Sequence, residues 1–153
     1  MTSNLEKKYH KSAFSGFRIE KTVKLMKLTL SRLFNQHPEL ETTVDQWVVM
    51  YLLNMYESLS QQEIGEHAFK DAPTVTRMID VMEAKNLVVR LQDTMDKRRL
   101  MIQLTPLGKA KFGLMKPIVE QFRASAYEGL DEEQLSQLET TLNIIFNNLS
   151  KIH

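Results

Sequence analysis

The chain has 153 residues, 42% of them hydrophobic and 25% charged, a balance that supports a packed core and excludes disorder along the whole length. Twenty Lys/Arg against 19 Asp/Glu leave a formal net charge of +1, so no global charge marks a polyanion binder, and zero cysteines exclude disulfides, thiolate zinc sites and cysteine nucleophiles. No apolar run approaches the ~20 residues that a membrane span needs. The opening MTSNLEKKYHKSAF lacks the apolar centre of a secretory signal, so a cytoplasmic location with no membrane partner is expected.

Ile19, Val23, Met26, Leu30 and Leu33 recur at steps of four and three, which predicts a long helix with one apolar stripe. His37-Pro38 ends it, because the residue before proline avoids the helical region. Thr43 can cap a second helix running through Trp47, Met50 and Tyr51 to about Glu57. Ser60 with Glu63 three residues on is a capping box, which starts a short helix of about two turns. Asp71 caps APTVTRMIDVMEAK, with Pro73 in the first turn, where its missing N–H costs nothing. Val75, Ile79 and Met82 form the buried stripe, and Asn86 suits the left-handed turn at the exit.

The period then changes from helical to alternating. Leu87–Leu91 and Arg99–Leu104 read as two short strands around QDTMDKR, a hairpin. Thr105-Pro106 starts another helix, running past Leu114 and Ile118 to about Tyr127, and Gly129 breaks it. Asp131 starts the last helix, in which Leu135, Leu138, Leu142, Ile145, Leu149 and Ile152 alternate steps of three and four. Such a seam is close to a heptad pattern and calls for a second helix to cover it, from this chain or from a partner.

The order helix, helix, short helix, capped helix, hairpin, helix, helix describes a mainly α fold. At its centre is a winged helix-turn-helix, with long helices at both ends. Residues 41–104 carry seven Lys/Arg against ten Asp/Glu, yet Lys97-Arg98-Arg99 at the hairpin is the longest basic run, a focused phosphate contact on an otherwise acidic segment. Opposite the buried stripe, the capped helix presents Pro73, Thr74, Arg77, Asp80 and Ala84, with Thr76 on the flank. A helix fits the DNA major groove, where threonine can bond either base type or touch a thymine methyl and arginine can fork onto guanine. The expected DNA contacts are therefore Thr74, Thr76 and Arg77 on the helix and Lys97, Arg98 and Arg99 on the wing, with Arg98 suited to a narrow minor groove. Taken singly, each of these residues has an equally ordinary reading as a first-turn residue or a solvated charge; it is their joint order that carries weight.

From about Thr43 to Gly108 the sequence resembles the multiple-antibiotic-resistance regulator (MarR) family. The residues that carry the resemblance are Ser60–Gly65, Thr74–Glu83 and Asn86–Arg90, and above all Asp93-Thr94-Met95-Asp96-Lys97-Arg98-Arg99 followed by Leu104-Thr105-Pro106-Leu107-Gly108. The resemblance implies that Arg98 enters the minor groove and that Asp96 steadies it. It also implies a homodimer whose residues 5–40 and 105–153 supply dimerisation helices around a DNA-binding region at 41–104, the whole of 1–153 forming one domain. Such a dimer would hold double-stranded DNA at a palindromic site, mostly as a repressor released by a small aromatic or anionic ligand. A short third strand before the capped helix is also within the pattern. Asn86 stands where the family usually has glycine, and Asp71-Ala72-Pro73 is a less usual start to the recognition helix.

Trp47 and Tyr51, one turn apart, are candidates for lining a ligand pocket, though such a pair serves equally as core. The nine methionines fit an adaptable interior or plain filling, and Met95 at the hairpin tip is open to oxidation. Glu63 with His67, and His37 with Glu41, are too few to hold a metal, and no cofactor motif or catalytic set is present, so no enzyme activity is expected. Two alternatives stay open: a winged-helix module that binds another protein, and a DNA-binding regulator without a ligand.

Overall fold

The computed structural model describes the backbone from Asn4 to Ile152 and the side chains from Ser15 onward, so the side chains of the opening MTSNLEKKYHKSAF segment lie outside the described residues. The elements are α1 (Asn4–Asn35), a 3-10 turn (Pro38–Leu40), α2 (Val44–Tyr56), α3 (Gln61–Ala68), α4 (Ala72–Ala84), β1 (Val88–Gln92), β2 (Leu100–Leu104), α5 (Pro106–Ala126) and α6 (Glu132–Ser150). This is the mainly α winged helix-turn-helix that the periodicity predicts.

Side-chain caps start the helices where the sequence places them. Thr43 and Gln46 close a reciprocal box at α2, Ser60 and Glu63 do so at α3, and Asp131 and Gln134 at α6. Each box satisfies two backbone N–H groups that the first turn leaves without partners. Asn86 leaves α4 at φ 55°, with its N–H on the Glu83 carbonyl and the Leu87 N–H on the Met82 carbonyl. These bonds close the last turn, and asparagine replaces glycine there at small cost.

β1 and β2 pair antiparallel, Val88 opposite Leu104 and Gln92 opposite Leu100. A third segment joins them as a single bridge, Leu59 exchanging both backbone bonds with Ile102. It lies before the short helix α3, one helix earlier than the sequence places a third strand, because the wing reaches back to the α2–α3 connection.

The chain divides into two compact units, one ending at Glu120 and the other beginning at Gln121, within α5. The first holds the core: Val49, Met50, Ile64, Val75, Ile79, Met82, Leu87, Ile102 and Met115 are fully enclosed. Trp47 is buried, its ring stacked on Phe112 at 4.8 Å with Phe34 edge-on at 6.5 Å. On α5 the buried positions are Gly108, Phe112, Met115 and Val119, whereas Leu114 is exposed. Pro117 sits inside α5, where it removes the bond to the Gly113 carbonyl, a feature that the periodicity does not reveal. In the second unit, none of the α6 seam residues is buried, and Leu138, Leu142, Ile145 and Leu149 stand exposed.

Candidate nucleic-acid interface

The turn from α3 into α4 sets the geometry of the candidate interface. α3 ends at Phe69 in the left-handed region, φ 51°, and the Lys70 N–H returns to the Gly65 carbonyl at 2.9 Å. Asp71 then caps α4, accepting the Thr74 N–H at 2.8 Å and the Thr74 hydroxyl at 2.9 Å. Val75, Ile79 and Met82 go to the core, which leaves Pro73, Thr76, Arg77, Asp80 and Ala84 exposed and Thr74 half-buried. The outer face of α4 is thus the one expected. Replacing Asp71 by Ala removes the acceptor of the first turn. We expect Asp71→Ala to destabilise the fold, read as a lowered urea midpoint with an unchanged slope.

The wing tip is shaped by two aspartates. Asp93 accepts the Met95 N–H at 2.8 Å and Asp96 accepts the Arg98 N–H at 3.0 Å, while the Arg99 N–H bonds the Asp96 carbonyl. Asp96 therefore holds the backbone N–H of Arg98 within the turn. Among the described residues, the side chains of Lys97 and Arg98 make no hydrogen bond or ion pair within the chain, and both are exposed. Arg99 differs. It turns back to α3, pairing with Glu63 at 2.6 Å and donating to the Ser60 hydroxyl at 3.3 Å.

The hydrogen bonds from the Ser60 N–H and hydroxyl hold the Glu63 carboxyl below its ordinary range, with burial opposing and Arg99 assisting. Asp71 is likewise lowered, by the Thr74 N–H and then by the Thr74 hydroxyl. Because both folded values are depressed, the two caps contribute fully above the ordinary carboxylate range and lose their contribution as pH falls through the lowered values. The contribution of these two caps should therefore be constant from neutral pH down to the ordinary carboxylate range and fall away as pH drops through the lowered values. Glu63→Gln, which keeps an acceptor for the box, should flatten that acid limb in a pH series of thermal melts.

One cluster was not visible in the sequence as a unit. Arg90 on β1 pairs with Asp80 and Glu83 of α4 and donates its Nε–H to Oε1 of Gln61 on α3 at 3.1 Å. Burial works against its charge, but the bonds to Asp80 and Glu83 more than offset this and raise its pKa. Asp80 is thus a neutralised partner and not a loose acidic group on the α4 face. A signal existed: Arg90 shares the inward phase of β1 with buried Val88, and an arginine in that phase needs carboxylates opposite it.

The remaining candidates have other partners. Glu63 is engaged as above, and His67 stacks on Tyr56 at 4.8 Å. His37 Nδ1 lies 3.2 Å from Glu39, and among the described residues no group of three or more acidic or histidine side chains gathers as a metal site. Trp47 is enclosed by Phe34 and Phe112, and Tyr51, 6.3 Å from it, is the partly exposed member of that pair. No helix among the described residues is long and apolar enough to cross a membrane.

Residues 42–100, which span α2 to the tip of the wing, match the MarR family model. Over that stretch the chain is similar to the MarR family. It is similar to the HTH-type transcriptional repressor IacR of Pseudomonas putida, 25% identical over 114 residues, 74% of this chain and 68% of that one. Among solved structures, the transcriptional regulator PA3341 superposes with a TM-score of 0.77 at 26% identity, covering 89% of this chain and 98% of that one. BpsR of Bordetella bronchiseptica, whose DNA binding is regulated by 6-hydroxynicotinic acid, shares the fold with a TM-score of 0.74 at 23% identity over 85% and 91% of the two chains. MarR proteins are transcriptional regulators and not enzymes, and this chain is a transcriptional regulator of the MarR type.

Proposed function

We propose that this regulator is a homodimeric repressor that binds a palindromic operator. Residues 41–104 make the DNA contacts, and residues 5–40 and 105–153 bring two copies together in the cytoplasm. The observation that carries the reading is the division of labour among the cations of the candidate interface. Arg90 and Arg99 are engaged with carboxylates, while Lys97 and Arg98 stand unengaged at the wing tip, beside an α4 whose outer face presents Thr74, Thr76 and Arg77. Helix side chains read the major groove, and an unengaged arginine on a wing suits the minor groove. Arg99 then contributes by fixing the wing against α3, or reaches a phosphate by exchanging Glu63 for it. The uncovered α6 seam supplies apolar surface for the partner copy.

Release by a small aromatic or anionic ligand belongs to the same reading, supported by the regulation of BpsR. Of Trp47 and Tyr51, Tyr51 is the one with surface to offer such a molecule.

Selection from random-sequence duplexes by the purified protein, at near-physiological salt, tests the proposal. An enriched palindrome with half-sites about one helical turn apart is the expected result. Binding that falls steeply with added salt separates DNA contact from docking on another protein through an apolar face. No enrichment and no steep salt dependence would overturn the reading in favour of a protein-interaction module. Adding small aromatic acids to the enriched duplex complex tests the ligand: release supports it, and unchanged binding across the panel favours a regulator without one.

A further inference from the structure

The polar cluster between α3, α4 and β1 biases the hydrogen-bonding role of Thr76, since the bond from Gln61 takes one of the two lone pairs of its hydroxyl and leaves the O–H to find an acceptor outside. Arginine has donors and no acceptor, so the Gln61 amide must turn its oxygen to Arg90 Nε, as found at 3.1 Å. Its NH2 then points the other way, and it donates to Thr76 Oγ1 at 2.9 Å. Gln61 is therefore not free to flip. Arg90 is held in turn by Asp80 and Glu83, so three carbonyl or carboxylate acceptors fix one guanidinium and, through one amide, one hydroxyl. Thr76 accepts from within the protein, and among the described residues its own O–H has no acceptor. Thr74 has the opposite assignment. Its hydroxyl donates to Asp71, which as a carboxylate can only accept, so Thr74 presents lone pairs outward.

We propose that Gln61, fixed by Arg90, is a specificity-positioning residue that makes Thr76 a hydrogen-bond donor to DNA, so that Thr76 favours an acceptor edge in the major groove: purine N7, guanine O6 or thymine O4. This rests on the reading of α4 as the recognition helix. The edges it disfavours are the amino groups of adenine and cytosine, which are donors. Gln61 is part of the reading head although it need touch no base. The same cluster ties β1 of the wing to α4 at two carboxylates, so wing and recognition helix meet the duplex as one piece.

Gln61→Glu tests this with little change of shape. A glutamate still accepts from Arg90, and an acidic residue is favourable in the first turn of α3. It has no donor for Thr76, so the Thr76 O–H turns inward to it and is withdrawn from the DNA. The added charge weakens binding to every duplex alike, whereas the loss of the outward donor shows at one base pair. The readout is therefore base preference at each position, from random-duplex selections run in parallel with wild type, Gln61→Glu, Thr76→Val and Thr74→Val. Matching thermal melts check folding.

The expected result is that Gln61→Glu and Thr76→Val both relax preference by about two- to tenfold at the same base pair in each half-site, and that Thr74→Val leaves this base pair unchanged. Should Gln61→Glu lower affinity uniformly with every preference intact while wild type still selects a site, the polarity argument is wrong and the DNA-binding reading stands. Wild type selecting no site would overturn both. If Gln61→Glu melts early, Gln61→Met, which removes the bridge without adding charge, must shift preference at the Thr76→Val position; failure to do so overturns the proposal.

Discussion

Gly108→Ala is expected to be the most damaging single methyl group that can be added to this chain. A Cβ at position 108 would lie 2.0 Å from the Leu87 carbonyl oxygen, 3.0 Å from the Leu87 carbonyl carbon and 3.2 Å from a Leu104 methyl. Two of these are backbone atoms, which cannot rotate away. The Leu87 carbonyl already accepts the Thr105 N–H at 3.1 Å, and the Thr105 hydroxyl donates to the Asn86 carbonyl while accepting the Gly108 N–H at 2.9 Å. The start of α5, the base of the wing and the exit of α4 therefore meet at one crowded point. Relief requires moving α5 off the hairpin, so a loss of about 3 kcal/mol or more is expected, at the top of the range for overpacking. Urea titration measures it. The control is Gly113→Ala in the same helix, where a Cβ meets nothing within 4 Å. That variant should be neutral or gain about 0.5–1 kcal/mol, since alanine favours helix and glycine does not. Equal losses for the two variants would refute the close-approach argument.

Arg98→Ala should show the reverse pattern, a large loss of binding with stability unchanged. The side chain is exposed, and its one local bond to Asp96 is through the backbone N–H, which alanine keeps. Surface changes of this kind alter stability by less than about 0.5 kcal/mol. If Arg98 enters the minor groove of the operator, its loss should weaken specific binding by about 10-fold or more and reduce the salt slope by about one. Fluorescence anisotropy at three salt concentrations reads both. Arg99→Ala offers the informative contrast. It breaks the pair with Glu63 and the bond to Ser60, so it should soften the acid limb attributed to Glu63 as well as loosening the wing. An Arg98→Ala protein that binds as tightly as wild type would remove the wing tip from the interface.

The arginines of the head show where sequence reading reaches its limit. Arg98 and Arg99 are adjacent and chemically identical, and the basic run Lys97-Arg98-Arg99 reads as one unit. In the folded chain they diverge because β2 begins at Leu100, and the turn that Asp96 closes aims one side chain outward and the next back to α3. Arg90 and Asp80 are ten residues apart and belong to different periodic patterns, so no local spacing joins them. Their pairing exists because the hairpin packs over α4. Trp47 and Tyr51 share a helix face by spacing, yet Phe112, far along the chain, occupies one face of Trp47 and makes it core.

Local chemistry was sufficient for much of the rest. Capping side chains act within three residues of the group they satisfy, so the starts of α2, α3, α4 and α6 could be read directly at Thr43, Ser60, Asp71 and Asp131. The change of period after Asn86 marked the wing, and the left-handed exit at Asn86 is where the sequence puts it. What the tertiary structure alone decided are the contacts between elements: which cations are engaged, which side of α5 is buried, why position 108 tolerates only glycine, and which way the Gln61 amide faces. The physical reason is range. Helix periods, caps and turns are settled by groups a few residues apart, whereas the charge state, polarity and crowding of the reading head depend on groups that meet only when the wing closes over α3 and α4.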